Sequence, residues 1–220
     1  MSINIHTGKM DMGRLTILPV FTLLVVTNLI GAYDCAMAFE PVTLIKVATL
    51  IHTMLVICFY VLVVFLYLIR NSARTTTSSL TVKIIAVVSS FLPFAIPLSG
   101  RPLENPGMLL SANLITIFGI FISLYSLLSL GESFSIIPQA RKLVQTGPYK
   151  LVRHPLYLGE FISLTGIVLA RFSMAGMIIF FVFTALQTYR AIQEEKLLAG
   201  VFHEYESYSM KSARFIPGIF

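Results

Sequence analysis

Long apolar runs, separated by short polar stretches, occupy most of the chain. Each of four runs has about the 20 residues that a helix needs to cross a bilayer. They lie at 15–33, 44–69, 82–98 and 109–130. Helices are the expected form because the lipid interior offers the backbone no hydrogen-bond partners. The pattern predicts four membrane-spanning helices before residue 131.

A fifth apolar stretch, 156–188, is too long for one crossing and is interrupted by the sequence ARFS at 170–173. We interpret it as a helical hairpin with Arg171 at its tip and its two arms packed side by side. The second arm runs on into TYRAIQEEKLLAGVF, whose apolar spacing predicts an amphipathic helix in the cytoplasm. The predicted fold is therefore all-α: a polytopic membrane bundle of about six segments with a C-terminal hairpin.

The composition agrees with a chain that is solvated mainly by lipid. It is 56% hydrophobic and only 12% charged, with a mean hydropathy of +0.86, whereas soluble domains carry about 25% charged residues. We expect one compact domain, with membrane helices in 1–130 and a cofactor-binding catalytic region in 131–220. The two cysteines, Cys35 and Cys58, have no metal-ligand spacing, so no metal site is predicted.

The basic residues give the predicted helices an orientation. With a cytoplasmic N-terminus, 13 of the 16 Lys and Arg residues fall in inner segments and 3 in outer ones. This asymmetry is typical of membrane proteins and explains the net charge of +6 without a nucleic-acid partner. It predicts a multi-pass protein of a bacterial inner membrane or the endoplasmic reticulum, with both termini cytoplasmic.

The stretch TGPYKLVRHPLYLGE, 146–160, stands at the start of the hairpin. Pro155 suits the first position of a helix, and Tyr157 shares a helix face with His154. At 1.5 Å per residue, the hairpin places Glu194 about 10 Å beyond the level of Pro155, beside the loop 139–154. Polar residues predicted to converge there are Arg141, Lys142, Tyr149, Arg153, His154, Tyr157, Arg190 and Glu194. We interpret this interface as a meeting place for a charged cofactor and a lipid-embedded substrate, although such residues also serve as membrane anchors.

Two segments carry a family resemblance. The sequences KLVQTGPYKLVRHPLYLGEF and YRAIQEEKLLAGVFHEYESYSMKSARFIPGIF resemble the isoprenylcysteine carboxyl methyltransferase family, whose wider relatives are the phospholipid N-methyltransferases. The matching elements fall within 139–217. The resemblance implies an integral membrane enzyme that uses S-adenosylmethionine to methylate a lipid-like acceptor, most simply the carboxylate of an isoprenylcysteine.

The resemblance also implies roles for individual residues. Arg190 would be catalytic and face the acceptor, where its planar fork suits a carboxylate. A carboxylate is ionised at neutral pH and needs no general base; for an amine acceptor, Glu195 or His154 would be the candidate base. The implied cofactor-binding residues are Gln139, Arg141, Lys142, Leu143, Val144, Tyr149, His154, Pro155, Leu156, Tyr157 and Glu194.

Two other functions remain open at this level. The sequences LGE and RFIPGIF also resemble membrane sterol reductases that bind NADPH, but those enzymes are rich in tryptophan here and this chain has none. A transporter or a membrane scaffold is the third possibility, although few ionisable residues lie within the apolar segments, which argues against ion transport. The sequence determines neither the methyl acceptor nor the oligomeric state.

Overall fold

Seven α-helices make up most of the described chain, which comprises residues 12–37, 41–70 and 72–218 of a computed structural model. The helices are α1 Met12–Met37, α2 Leu44–Ile69, α3 Leu80–Phe91, α4 Pro106–Leu130, α5 Pro155–Ala170, α6 Met174–Ala199 and α7 Tyr205–Lys211. The two strands in these residues, β1 Thr75–Thr76 and β2 Gln139–Ala140, are very short. The all-α prediction is confirmed.

Five segments are long and apolar enough to cross a membrane: Ile17–Met37, Leu44–Ile69, Leu80–Leu98, Pro106–Ser133 and Met174–Ala199. The sixth apolar helix, α5, has only 16 residues. At 1.5 Å per residue it is about 24 Å long, somewhat less than the hydrocarbon core of a bilayer, which is about 30 Å thick. The polytopic membrane bundle is confirmed, with one short member.

The third span, Leu80–Leu98, differs from the single α-helix that the sequence predicts at 82–98. Its α-helical part ends at Phe91, and Leu92–Leu98 is a 3₁₀-helix. Pro93 and Pro97 lie in this part and have no backbone N–H to donate, so an uninterrupted α-helix would lose hydrogen bonds there.

The chain reverses at Arg171, as predicted, between the end of α5 and the start of α6. Ser173 caps α6 by accepting a 2.9 Å hydrogen bond from the backbone N–H of Gly176. The two arms contact each other, for example through Gln187 and Glu160, but neither arm is the other's main neighbour. Helix α5 packs most extensively against α4, and α6 packs mainly against the third span.

Small residues explain why α4 is the partner of α5. A Cβ atom on Gly119 of α4 would lie 2.6 Å from the carbonyl oxygen of Gly159, and one on Gly166 of α5 would lie 2.6 Å from that of Ala112. Both distances are shorter than a carbon–oxygen contact allows. The glycines therefore let the two backbones approach closely, which is how membrane helices pack without a hydrophobic driving force.

The end of the bundle that carries the N-terminus of α5 is covered by loops, and we call it the polar end. Strand β1 pairs antiparallel with β2, and Val152 forms a parallel bridge with Ala213. The bridge is reinforced when Arg153 N donates to Ala213 O at 2.8 Å. Residues 200–218 are thereby attached to the loop before α5.

Candidate active site at the polar end

A polar cavity of about 110 Å³ lies at the polar end, between α6 and the loops. Its lining includes Arg190 and every implied cofactor-binding residue except Arg141 and Pro155; the candidate base Glu195 does not line it. The predicted residues that it brings together are Gln139, Lys142, Leu143, Val144, Tyr149, His154, Leu156, Tyr157, Arg190 and Glu194. The predicted convergence of the two motifs is therefore present in the structure.

The two exceptions lie close by and have other contacts. Arg141 lines a neighbouring cavity of about 350 Å³, which shares Lys142 and Val144 with the polar cavity. Its Nη2 donates a 2.6 Å hydrogen bond to Gln139 Oε1. Pro155 is fully buried as the first residue of α5. Arg141 is thus placed to orient Gln139, and Pro155 to fix where α5 begins.

Glu194 lines the polar cavity and contacts residues of both α5 and α6. Its Oε1 accepts hydrogen bonds from Tyr157 Oη at 2.6 Å and from Arg190 Nε at 3.1 Å. Its Oε2 is 3.9 Å from His154 Nδ1. Helix α6 begins at Met174, two residues after Phe172, where the hairpin estimate starts its second arm. The long side chains of Tyr157 and Glu194 meet between the two helices.

His154 is held between two helices. Its ring stacks on Tyr157, with centroids 5.3 Å apart and an angle of 6° between the planes. Its Nε2 is 3.2 Å from Glu195 Oε1, while Nδ1 is on the side of Glu194. Both ring nitrogens therefore face carboxylates of α6.

Glu195 joins the C-terminal residues to the loop before α5. It accepts hydrogen bonds from Arg153 Nε at 2.9 Å and from Arg214 Nη2 at 3.0 Å, besides its contact with His154. The hydrogen bond from Arg214 raises the pKa of that guanidinium above its ordinary value. Arg153 also donates to the backbone oxygen of Ser209 at 2.8 Å. This cluster holds the C-terminal residues in place, and it occupies both oxygens of Glu195.

Two tyrosines that the sequence analysis did not assign to the site complete the cavity. Tyr205 and Tyr208, both on α7, line it. Tyr208 Oη donates a 2.7 Å hydrogen bond to the backbone oxygen of Tyr149. Tyr205 Oη is buried and has no hydrogen-bond partner among the residues that the structure describes. The spacing F-x-x-Y-x-x-Y at 202–208 was the available signal.

Burial keeps these phenols in the neutral form. It raises the pKa of Tyr208 to about 12 and moves those of Tyr149 and Tyr205 in the same direction. Near neutral pH all three tyrosines can therefore donate hydrogen bonds but carry no charge.

A second cavity, of about 370 Å³, lies inside the membrane bundle, and we call it the intramembrane cavity. Residues from all six apolar segments line it, and most of these are apolar. Its wall is shared with the polar cavity at Phe134, Leu156, Tyr157 and Arg190. A ligand from water and a ligand from lipid would meet at these four side chains.

Arg190 is fixed within this shared wall. Its side chain is only 5% exposed. Nη2 donates to the backbone oxygen of Ser135 at 3.3 Å, Nη1 donates to Ser90 Oγ at 3.4 Å, and the guanidinium carbon lies 5.1 Å from the centre of the Tyr157 ring. The guanidinium is thus a rigid cation that both cavities reach. Among the described residues, no group of three or more His, Cys, Asp or Glu side chains could hold a metal ion.

Comparison with known families supports the resemblance seen in the sequence. Residues 108–205 match the model of the phospholipid methyltransferase family. The matched segment is therefore similar to that family. It runs from α4 to the first residue of α7, so it contains the α4–α5 packing, most of the polar cavity and Arg190.

Two relatives match shorter parts of the chain. The nickel-cobalt-cadmium resistance protein NccN of Alcaligenes xylosoxydans xylosoxydans is 32% identical over 80 residues, which are 36% of this chain and 38% of the relative. The cobalt-zinc-cadmium resistance protein CzcN of Cupriavidus metallidurans is 33% identical over 76 residues, which are 34% and 35% of the two chains. The chain thus spans little more than a third of either relative. Neither the family nor these relatives supports the sterol reductase alternative.

Proposed function

We propose that this protein is an S-adenosylmethionine-dependent methyltransferase that acts on a lipid-like acceptor at the membrane–water interface. The observation that carries the proposal is the shared wall: Tyr157 and Arg190 line both the polar cavity and the intramembrane cavity. A water-soluble donor and a lipid-soluble acceptor would therefore meet there without either one leaving its own solvent.

The donor set of the polar cavity fits S-adenosylmethionine, which would supply an electrophilic methyl group when bound. Glu194 offers a carboxylate to its positive charges, and Lys142 offers an ammonium group to its carboxylate. Leu143 and Val144 offer apolar surface to its purine ring. The unpaired hydroxyl of Tyr205 is a further polar atom in this cavity that lacks a protein partner, and buried groups of this kind usually have one.

We infer that the acceptor group is a carboxylate, as in an isoprenylcysteine-type substrate. Arg190 presents a fixed guanidinium at the shared wall, and its planar fork matches the geometry of a carboxylate. The two candidate bases named from the sequence, Glu195 and His154, contact each other, and Arg153 and Arg214 also occupy Glu195. An acceptor that is already ionised at neutral pH suits such a site.

The residues would then act by positioning. Arg190 holds the acceptor group, and Glu194 holds Arg190 through the 3.1 Å hydrogen bond to Nε. Tyr157, on α5, orients the carboxylate of Glu194 through a second hydrogen bond. Holding two reactants in line can contribute about 7–11 kcal/mol to lowering a barrier. The apolar wall formed by Phe134 and Leu156 excludes water and so strengthens these electrostatic contacts.

We further propose that the polar end faces the cytoplasm of a bacterial inner membrane. The uneven distribution of basic residues supports this orientation, and both relatives come from bacteria. Their names refer to resistance to metals, but the described part of the chain has no metal-binding cluster, and we propose no metal-binding role.

The test uses the purified protein in detergent and the protein in its membrane. S-adenosylhomocysteine should raise the melting temperature, whereas NADPH should not. Membranes incubated with isotopically labelled S-adenosylmethionine should yield an amphiphile with one labelled methyl ester, detected by mass spectrometry and removed by mild alkali. No thermal shift at saturating S-adenosylhomocysteine, together with no labelled lipid, would overturn the proposal.

A further inference from the structure

Glu160 is a carboxylate in a place where membrane proteins rarely put one. It lies on α5, one turn beyond Tyr157, and its half-buried side chain lines the intramembrane cavity. Its Oε2 accepts a hydrogen bond from Nε2 of Gln187 on α6. Ionisable groups within membrane segments are energetically costly, so they face cavities and have partners.

The protein itself provides Glu160 with few hydrogen-bond donors. Within residues 12–37, 41–70 and 72–218, no nitrogen of a basic side chain lies within 4.0 Å of the Glu160 carboxylate oxygens, which is the distance limit for an ion pair. Gln187 is only 1% exposed, and its own Oε1 is buried with no donor in the same residues. Gln187 Oε1 in this pair is therefore a buried acceptor that no protein donor in these residues satisfies, and unsatisfied buried acceptors are costly.

A cation lies one helical turn away along α6. Arg190 follows Gln187 by three residues, which is about 4.5 Å along the helix axis, and both Arg190 and Glu160 line the intramembrane cavity. At this end the cavity thus offers a fixed positive group and, about one turn deeper, a negative group. A ligand head with a negative group and a positive donor at a similar spacing would complement both.

We propose that Glu160 is a specificity-determining residue that binds a protonated amine of the acceptor, next to the carboxylate that Arg190 holds. The substrate class is then a lipid-linked α-amino acid with a free amine, such as an S-alkylated or S-prenylated cysteine, rather than a simple lipid carboxylic acid. This inference rests on the proposed function. It adds that the acceptor carries a positively charged amine beside the carboxylate that is methylated.

Three acceptors with one common tail test this inference: an S-alkylcysteine, its N-acetyl derivative and the corresponding thioether acid without an amine. The wild-type protein should methylate the free amine form with a kcat/KM about 10–100-fold above the other two, the range for a hydrogen bond to a charged group. Glu160→Gln should remove most of this preference, because the amide keeps the shape and a partner for Gln187 but loses the charge. Its kcat/KM for the N-acetyl derivative should stay within about twofold.

Controls separate recognition from folding. Glu206→Gln, at an exposed position of α7, should change none of the three rates. Glu160→Asp should restore part of the preference, since the charge returns on a shorter side chain. Equal methylation of all three acceptors by the wild type, or an equal loss for all three in Glu160→Gln, would overturn the role of Glu160 and leave the proposed function intact. Transfer to none of them by the wild type would overturn both.

Discussion

Tyr157 donates a 2.6 Å hydrogen bond to Glu194, and this bond ties the first turn of α5 to the C-terminal half of α6. Arg190 donates to the same carboxylate oxygen. One acidic side chain thus fixes two of the four residues that line both cavities. Arg190 is also held from the loop side, by its hydrogen bond to the backbone oxygen of Ser135.

Glu194→Gln should weaken donor binding strongly. Glutamine retains the shape of the side chain. It lacks the negative charge that attracts a cation and that strengthens the two hydrogen bonds accepted by Glu194. Hydrogen bonds to charged groups contribute about 1.5–3 kcal/mol, so we expect an affinity loss of about 10–100-fold for S-adenosylhomocysteine. Isothermal titration in detergent measures it, with Glu206→Gln as the matched exposed control. Unchanged affinity in Glu194→Gln would contradict its place in the donor site.

Arg190→Lys should reduce turnover more than donor affinity. Lysine keeps the positive charge but cannot contact Glu194, Ser90 and Ser135 together through a planar fork. We expect kcat to fall at least about 10-fold, the equivalent of about 1.4 kcal/mol, while the thermal shift with S-adenosylhomocysteine is largely kept. Arg101→Lys, in an exposed loop, is the control. A variant with normal kcat would show that the guanidinium does not hold the acceptor.

Glu195→Gln should destabilise the polar end rather than alter chemistry directly. The change removes the common partner of Arg153, His154 and Arg214. Loss of one member of a buried cluster costs about 3–5 kcal/mol, and partial exposure of these side chains reduces this to about 1–3 kcal/mol. Limited proteolysis should cut sooner within 200–218, and the melting temperature should fall. Glu204→Gln, which is exposed, should do neither; equal protease sensitivity of the two variants would contradict the role of Glu195.

Gly159→Ala should disturb the packing of α5 on α4. The added Cβ would lie 2.7 Å from the backbone nitrogen of Ser123 and 2.8 Å from the oxygen of Gly119. Overpacking of this kind costs about 1–3 kcal/mol. Gly31→Ala is the matched control, because nothing lies within 4 Å of its Cβ and alanine favours a helix. We expect Gly159→Ala to lower the melting temperature in detergent and Gly31→Ala not to lower it. Equal melting temperatures for the two variants would show that the close approach of α5 and α4 is not required.

The stability of the polar end should decrease at alkaline pH. Burial raises the pKa of Tyr208 from its ordinary value of 10 to about 12. The unfolded chain therefore loses this proton first, so the stabilising contribution is complete below pH 10 and is lost as pH rises toward 12. Melting temperatures across this range, with tyrosinate absorbance, measure the effect. Tyr208→Phe should show a shallower decline than the wild type, and an identical decline would contradict the assignment.

Much of this architecture can be predicted from local patterns in the sequence. Apolar runs of membrane length identify the helices, and ARFS interrupts the last run where the chain reverses at Arg171. That reversal alone brings the RHP-x-Y and QEE motifs together. The 3₁₀ segment Leu92–Leu98 was also visible in principle, since two prolines lie four residues apart within it.

Other features depend on tertiary fit and have no local signal. The glycines at 119, 159 and 166 are visible in the sequence, but their spacing alone does not show that α5 prefers α4 to α6. The attachment of the C-terminal residues rests partly on the backbone hydrogen bond from Arg153 to Ala213. A backbone hydrogen bond of this kind does not depend on the side chains, so the sequence does not reveal it. The two acidic neighbours, Glu194 and Glu195, also look equivalent in the sequence. Their side chains point in different directions from α6: Glu194 contacts Tyr157 in the polar cavity, whereas Glu195 contacts Arg153.

The thin partition made by Phe134, Leu156, Tyr157 and Arg190 has a kinetic consequence. Two reactants held in separate cavities would not obstruct each other, so neither would have to bind first, and neither product would have to wait for the other to leave. Initial-rate plots should therefore follow a random sequential pattern, and the methylated lipid would diffuse sideways into the bilayer while the spent nucleoside returns to water.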